Sequence, residues 1–231
     1  VSSPALKIFC MISIYIAPLI SPSVVLSMDS AESYRRALRS LAPEISGLYE
    51  ANLREFMTKR KVLIYGSYAR HEEGIHLLEY LRDRLREDGF KHVYLVKDLS
   101  DEELGLSHLE LKSVTENIRN LLRSIQSFTI ADALIFLFSK ALMRHPAGVV
   151  VELSIYAAML SYGDVPPSYY ALVLINEEIE RRISSLIKGI LEYYEIPNAT
   201  YTTRDEAYKA TRSHIDNIVY REKQELKHKL R

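Results

Sequence analysis

The feature of this chain that most restricts its fold is a regular alternation of short apolar segments with longer amphipathic ones. The clearest apolar segment, Ala133–Phe138, contains no polar residue and is too short for a typical helix. Similar segments lie at residues 61–66, 92–96 and 171–175, and residues 200–203 are a candidate for a short fifth strand. Segments with helical spacing separate them. Because strands that alternate with helices form a parallel sheet covered on both faces, the sequence predicts an α/β three-layer sandwich.

The predicted domain organisation has four parts. Residues 1–27 form an apolar N-terminal extension, residues 28–60 a helical segment, residues 61–203 the α/β domain, and residues 204–231 a charged C-terminal helix. Within the α/β domain, the apolar residues from Ile179 to Leu191 have helical spacing and predict one amphipathic helix.

The N-terminal extension leaves several interpretations open. Its apolar run from Ile8 to Ile20 is shorter than the roughly 20 residues that span a bilayer, and Lys7 in front of it gives a faint likeness to a signal peptide. We favour packing against the domain or a partner, or a natural start at Met28. We therefore expect a cytoplasmic protein, with no membrane partner.

Charge and cysteine content argue against several classes of protein. Lys plus Arg number 30 and Asp plus Glu number 30, so the basic excess of a dedicated nucleic-acid binder is missing. The mildly basic residues 221–231 are interpreted as a solvated helix end rather than an RNA contact. Cys10 is the only cysteine and the 7 histidines lack ligand spacing, so we expect no metal and no cofactor.

Glu152 is the residue with the strongest functional signal. It is a lone carboxylate between Val149–Val151 and the apolar residues from Leu153 onwards, downstream of the predicted strand Ala133–Phe138. Such a charge is hydrogen-bonded, paired or kept for chemistry. Ligands of open α/β sheets bind at the carboxyl ends of the strands. Glu152 therefore either offsets the dipole of its own helix or faces a cleft, where it attacks an anomeric carbon or activates water.

The loop after the first predicted strand is a candidate anion site. It contains Gly66, Ser67 and Arg70 and leads into a helix, whose first N–H groups favour a negative charge. Gly66 permits close approach of a ligand to the backbone. The alternative is a plain turn with a serine cap and a solvated arginine.

Polar residues next to two other strands have different expected roles. Asp98 follows the second strand, where it either holds ribose hydroxyls or remains a solvated loop acid. Ser139 follows the third strand and lies on the edge where a ligand is expected. Asp132 precedes the third strand, at the opposite edge, and is interpreted as a structural cap.

Three segments together resemble the nucleoside 2-deoxyribosyltransferase superfamily, which includes the 2′-deoxynucleoside 5′-phosphate N-hydrolases. They are Ile64–Ser67, Ala131–Ile135 and Gly148–Leu153. The resemblance implies a flavodoxin-like fold with a mostly parallel five-stranded sheet and a homo-oligomer that binds a nucleoside or nucleotide. It also implies that Glu152 is the nucleophile at the anomeric carbon, with Gly66 and Ser67 beside the 5′ end or phosphate.

Two positions depart from the pattern of this superfamily. Ser154 stands where the superfamily usually has glycine, and residues 123–127 contain no carboxylate where it often has an acid. The layout also resembles TIR domains, in which a glutamate on a helix cleaves the nicotinamide–ribose bond of NAD. The segments Tyr65–Tyr68 and Phe138–Lys140 fit that pattern.

Both resemblances point to cleavage of an N-glycosidic bond. The sequence therefore predicts a nucleoside or nucleotide N-glycosidic bond hydrolase, or a deoxyribosyltransferase, that acts through Glu152. Tyr68 and Gly148, which belong to the matching segments, join the candidate ligand-binding residues. The alternative is a non-catalytic or TIR-like module that binds a nucleotide such as NAD in signalling.

Overall fold

A parallel β-sheet with helices on both faces is the centre of the computed structural model, which describes residues 50–68, 74–106, 116–140 and 147–229. The strands are β1 (Lys61–Gly66), β2 (His92–Leu95), β3 (Ala133–Phe138), β4 (Ala171–Asn176) and β5 (Asn198–Tyr201). The helices are α1 (residues 50–59), α2 (Gly74–Glu87), α3 (Glu116–Ile130), α4 (Ala147–Tyr162), α5 (Glu177–Glu180), α6 (Ser185–Tyr193) and α7 (Arg204–Lys229), with short 3-10 helices at Val96–Asp98 and Ser168–Tyr170.

The strand order confirms the predicted fold class. The five strands run parallel in the order β2-β1-β3-β4-β5, which is the order of a flavodoxin-like fold. Every residue of β3 and β4 is buried, as expected for strands covered on both faces. Ala51–Arg231 form one compact unit, and α7 packs within it against α2, β4 and β5.

An aromatic cluster forms part of the core on one face of the sheet. The rings of Tyr65 on β1 and Phe136 on β3 stack with their centroids 4.9 Å apart. Phe128 on α3 and Tyr156 on α4 meet edge to face at 5.7 Å, and each also packs against Phe136. Aromatic contacts of this kind bury a large apolar area, so they fix α3 and α4 against the sheet.

A polar cluster holds the amino edge of the sheet together and includes Asp132. One oxygen of this carboxylate accepts a hydrogen bond from the Arg60 guanidinium, and the other accepts one from the Lys61 backbone N–H, both at 2.8 Å. Arg60 also pairs with Glu222 of α7 at 3.4 Å, and the Tyr170 hydroxyl donates to Glu222 at 2.8 Å. The interpretation of Asp132 as a structural residue is confirmed.

Local capping changes two of the predicted elements. The prediction of a single helix from Ile179 to Leu191 is wrong, because the structure has two helices there, α5 and α6. The Ser184 side chain accepts a hydrogen bond from the Ile187 N–H and starts α6 afresh. The fifth strand, Asn198–Tyr201, begins earlier than predicted. It also ends earlier, because Thr203 and Glu206 cap each other's backbone N–H groups at the start of α7.

Two helices end at glycines, as their sequences predict. Gly89 follows α2 with φ +102° and Gly163 follows α4 with φ +75°, a conformation that glycine adopts without strain. In the part of the chain that the structure describes, no helix is both long and apolar enough to cross a membrane. The predictions for residues 1–27 and for most of 28–60 lie outside the described residues.

Candidate functional site

Glu152 lies in the second turn of α4, the helix that follows β3. It is the only charged residue of this helix. Its neighbours Val149 and Leu153 are buried in the core, whereas Val151 is 43% exposed. Glu152 itself is half-buried. Its position on α4 therefore places a carboxylate at the border between the core and the surface.

The two oxygens of the Glu152 carboxylate have different environments. The Ser124 hydroxyl of α3 donates a hydrogen bond to Oε1 at 2.7 Å. Oε2 is buried and has no hydrogen-bond partner among the described residues. Leaving a buried polar atom without a partner costs about 1–3 kcal/mol, and more for a charged group. A ligand that contacts Oε2 would offset this cost.

Burial also changes the acidity of Glu152. Desolvation raises the pKa of its carboxyl group above the usual value, and the hydrogen bond from Ser124 lowers it in part. A carboxyl group whose pKa is shifted by burial and by a specific partner is a candidate for chemistry. Because only the ionised form of a carboxyl group is a nucleophile, the raised pKa moves to higher pH the range in which the Glu152 carboxylate has this property.

The hydroxyl groups of Tyr65 and Ser127 lie next to the pair formed by Ser124 and Glu152. The Tyr65 hydroxyl and the Ser127 Oγ lie 2.8 Å apart, and both side chains are fully buried. Ser127 donates its own proton to the backbone carbonyl of Ser124 at 2.7 Å. Burial raises the pKa of Tyr65, and the negative charge of Glu152 raises it further. Hydrogen bonds through Ser124 therefore connect Glu152, at the border of the core, with the buried Ser127 and Tyr65.

Tyr68, one of the predicted ligand-binding residues, is electrostatically coupled to Glu152. Burial of its hydroxyl raises the pKa of Tyr68, and the charge of Glu152 adds to the shift. The backbone amides of Val96 and Lys97 lie against this hydroxyl. The side chain as a whole is nevertheless 37% exposed. Tyr68 therefore has an anchored hydroxyl and a partly exposed ring.

Ser139 provides a second buried oxygen without a partner. It directly follows β3, at the carboxyl edge of the sheet, and is 1% exposed. Its Oγ has no hydrogen-bond partner among the residues that the structure describes. Ser139 Oγ and Glu152 Oε2 are therefore two buried oxygens whose hydrogen-bond partners are not among the described residues.

The two candidate glycines have different surroundings. A Cβ at Gly66 would lie 2.8 Å from Leu78 Cδ2 and 3.2 Å from the Leu137 carbonyl oxygen. The close approach that Gly66 permits is therefore to α2 and β3. A Cβ at Gly148, in the first turn of α4, would meet nothing within 4 Å, so this position is open.

The remaining candidates are dispersed. Asp98 forms an ion pair with Arg82 at 3.0 Å, which holds its carboxylate towards α2. Ser67 is half-buried in the loop after β1. Arg70 lies outside the described residues. Within the described residues, no group of three or more His, Cys, Asp or Glu side chains is placed to hold a metal ion.

Sequence reasoning missed Ser124, Ser127 and Tyr65. A signal was present, because two serines three residues apart lie on a face of α3 that also carries the core residue Phe128. Polar residues on a buried helix face need partners, and these partners can be functional. The pattern alone could not show that the partners are Glu152 and Tyr65.

Comparisons with known proteins add no assignment. No protein-family model matches the chain, and no curated protein matches it. The functional argument therefore depends on the geometry around Glu152 and on the chemistry that this geometry allows.

Proposed function

We propose that this protein cleaves the N-glycosidic bond of a nucleoside or nucleotide, with Glu152 as the carboxylate that attacks the sugar. The observation that carries the proposal is the state of this carboxylate. One oxygen is held by Ser124 and the other is buried without a partner among the described residues, on the helix that follows β3. The resemblance to the nucleoside 2-deoxyribosyltransferase superfamily supports the same chemistry.

The reaction would proceed in two displacements. Glu152 Oε2 attacks the anomeric carbon C1′, and the electron pair of the breaking C1′–N bond leaves with the base, which takes up a proton from water. The intermediate is a glycosyl ester of Glu152. Water then attacks C1′, which regenerates the carboxylate and releases a proton. A second nucleobase in place of water would make the protein a deoxyribosyltransferase.

Two other side chains are proposed contacts for a nucleoside ligand. The buried Ser139 hydroxyl can exchange a hydrogen bond with a sugar hydroxyl, since it has no partner among the described residues. The exposed part of the Tyr68 ring can pack against a base or a sugar face. The predicted contacts of the phosphate or 5′ end stay Gly66, Ser67 and Arg70. Gly148 stays a predicted ligand-binding residue.

We also propose that the protein acts as a homo-oligomer in the cytoplasm. In support, α4 and α6 expose four large apolar side chains: Val151 (43%), Tyr162 (81%), Leu186 (64%) and Tyr193 (80%). A groove of about 470 Å³ lies on α6, between Leu186 and Tyr193. Since Glu152 is the only charge of α4, the α4 part of this face can approach a second copy without strong repulsion.

A panel of nucleosides, nucleoside 5′-monophosphates and NAD tests the proposal, with free base or nicotinamide measured by chromatography. We expect the protein to release base from at least one nucleoside or monophosphate. Glu152→Gln should lower this rate by roughly 10³-fold or more, because the amide keeps the shape but is no nucleophile. The matched control, Glu192→Gln, changes an exposed glutamate of α6 and should keep the rate. Unchanged base release by Glu152→Gln would refute the assignment.

The stability of Glu152→Gln provides a check on its folding. Because burial raises the pKa of Glu152, the folded state binds a proton more readily than the unfolded state. The ionised carboxylate therefore opposes folding at any pH above its raised pKa, and this effect disappears as the pH falls through that pKa. We expect the variant to have an unfolding free energy at pH 7 equal to or above that of the parent protein.

A second candidate function is nucleotide binding without catalysis. The observation that favours it is that the α3 residue beside Glu152 is Ser124, so within the described residues α3 provides no acid there for protonation of the leaving base. Calorimetry with the same panel distinguishes the two functions. Binding without release of base or nicotinamide would identify a non-catalytic module, and release of nicotinamide from NAD alone would identify TIR-like chemistry.

A further inference from the structure

We propose that Ser124 is a positioning residue for Glu152, which holds Oε1 so that Oε2 is the atom presented to the substrate. This inference deepens the proposed function and rests on it. Ser124 lies on α3, and its side chain is 4% exposed. Its hydroxyl donates to Glu152 Oε1 at 2.7 Å across the interface between α3 and α4.

The direction of this hydrogen bond sets Ser124 apart from three other described hydroxyl residues inside helices. Ser127, Ser154 and Thr211 each donate to a backbone carbonyl three or four residues earlier in their own helix, at 2.7–2.8 Å. That local bond is the common one for serine and threonine inside helices. Ser124 instead donates its hydroxyl proton to a carboxylate on another helix. This hydrogen bond therefore holds Glu152 rather than the backbone of α3.

The backbone of Ser124 is itself held in place by buried groups. Ser127 donates to the Ser124 carbonyl, so its proton is not available to Tyr65. The proton in the contact between Tyr65 and Ser127 must therefore come from Tyr65. These bonds fix the Ser124 backbone of α3 to β1 inside the core. A functional carboxylate held by such a supported neighbour keeps one orientation before the substrate arrives.

Ser124 also affects the protonation of Glu152. Burial raises the pKa of the carboxyl group, and the Ser124 hydrogen bond acts in the opposite direction by favouring the ionised form. Removal of the hydroxyl should therefore move the titration of Glu152 to higher pH. It should also free the carboxylate to rotate, so that Oε2 attacks less often.

The test compares Ser124→Ala with Ser124→Thr, which keeps the hydroxyl, and with the control Ser154→Ala, which removes a hydroxyl bonded within α4. Base release is measured as kcat and KM against pH. The titration of the Glu152 carboxyl carbon is followed by NMR, with its signal assigned by its loss in Glu152→Gln. We expect Ser124→Ala to lower kcat about 10- to 100-fold with little change in KM, and to shift both the acid limb and the NMR titration to higher pH.

Ser124→Thr should restore most of the rate and the titration, and Ser154→Ala should change neither. An unshifted Glu152 titration in folded Ser124→Ala would overturn the proposal, as would equal losses in Ser124→Ala and Ser154→Ala. The NMR titration needs no turnover. Failure of the proposed function would therefore appear separately, as an absence of base release from every substrate in the panel.

Discussion

At the scale of single residues, His214 is a second buried titratable side chain, and its effect is on stability. It lies on α7 with 6% exposure, and its Nε2 has no hydrogen-bond partner among the described residues. Burial lowers the pKa of His214 to about 4, the charge of Arg221 lowers it further, and a hydrogen bond with the Tyr170 backbone opposes the shift. Because Tyr170 lies just before β4, His214 is near the amino edge of the sheet, away from Glu152.

The lowered pKa of His214 should make the stability of the protein depend on pH. Between pH 6.5 and about 4 the unfolded state binds a proton that the folded state does not. The contribution of neutral His214 to the unfolding free energy is therefore complete above pH 6.5, and it is lost as the pH falls towards 4. We expect the parent protein to lose about 2 kcal/mol more unfolding free energy than His214→Gln between pH 7 and pH 5, measured by urea unfolding. The exposed-residue control His76→Gln should behave like the parent, and equal losses in all three proteins would contradict the prediction.

At the residue scale, the sequence pattern singled out Glu152 as a candidate functional residue, but it did not predict its hydrogen-bond partner Ser124. A lone carboxylate in an apolar run is visible without a structure, because burial of a charge always needs an explanation. The partner Ser124 lies 28 residues earlier, and Tyr65 and Ser127 are 62 residues apart. Such pairs depend on how α3 packs against α4 and β1. Asp98 shows the same limit, since Arg82 became its partner only through the packing of α2.

At the scale of elements, the contact between β1 and α2 depends on Gly66. An alanine there would place its Cβ 2.8 Å from Leu78 Cδ2 and 3.2 Å from the Leu137 carbonyl oxygen, and Leu78 is fully buried. We expect Gly66→Ala to lower the unfolding free energy by about 1–3 kcal/mol, because the packed core has little room to adjust. Chemical denaturation measures this change.

The matched control for this prediction is Gly148→Ala. A Cβ at Gly148 meets nothing within 4 Å, and the position is helical. The control should therefore keep the parent stability or raise it by up to about 1 kcal/mol. If Gly66→Ala proved as stable as this control, the close packing of α2 on β1 would not constrain that position.

Elements were predictable where the pattern of a short segment decides the outcome. The bounds of β3 follow from its unbroken apolar run, and Gly89 and Gly163 mark the ends of α2 and α4. The division between α5 and α6 was missed because apolar spacing continues across it. The Ser184 cap that starts α6 is a weaker signal in the sequence than the spacing, yet it decided the local structure.

At the scale of the whole molecule, the apolar face of α4 and α6 predicts self-association. We expect the protein to elute as an oligomer in size exclusion with light scattering. Leu186→Glu should shift it towards the monomer, because the charge would be buried between two copies. The control Ser213→Glu adds the same charge at an exposed position of α7 and should leave the mass unchanged. A monomeric parent protein at high concentration would contradict the prediction.

By itself, the sequence determined the α/β class and the place of most strands and helices. Alternation of apolar strands with amphipathic helices is a local property, and each element is encoded by residues next to one another in the chain. It also singled out Glu152. The tertiary structure alone decided that Ser124 bonds Oε1, that Oε2 stays buried without a described partner, and that Tyr68 is electrostatically coupled to Glu152. These relations join residues of different elements, and their positions follow from the packing of α3 and α4 on the sheet.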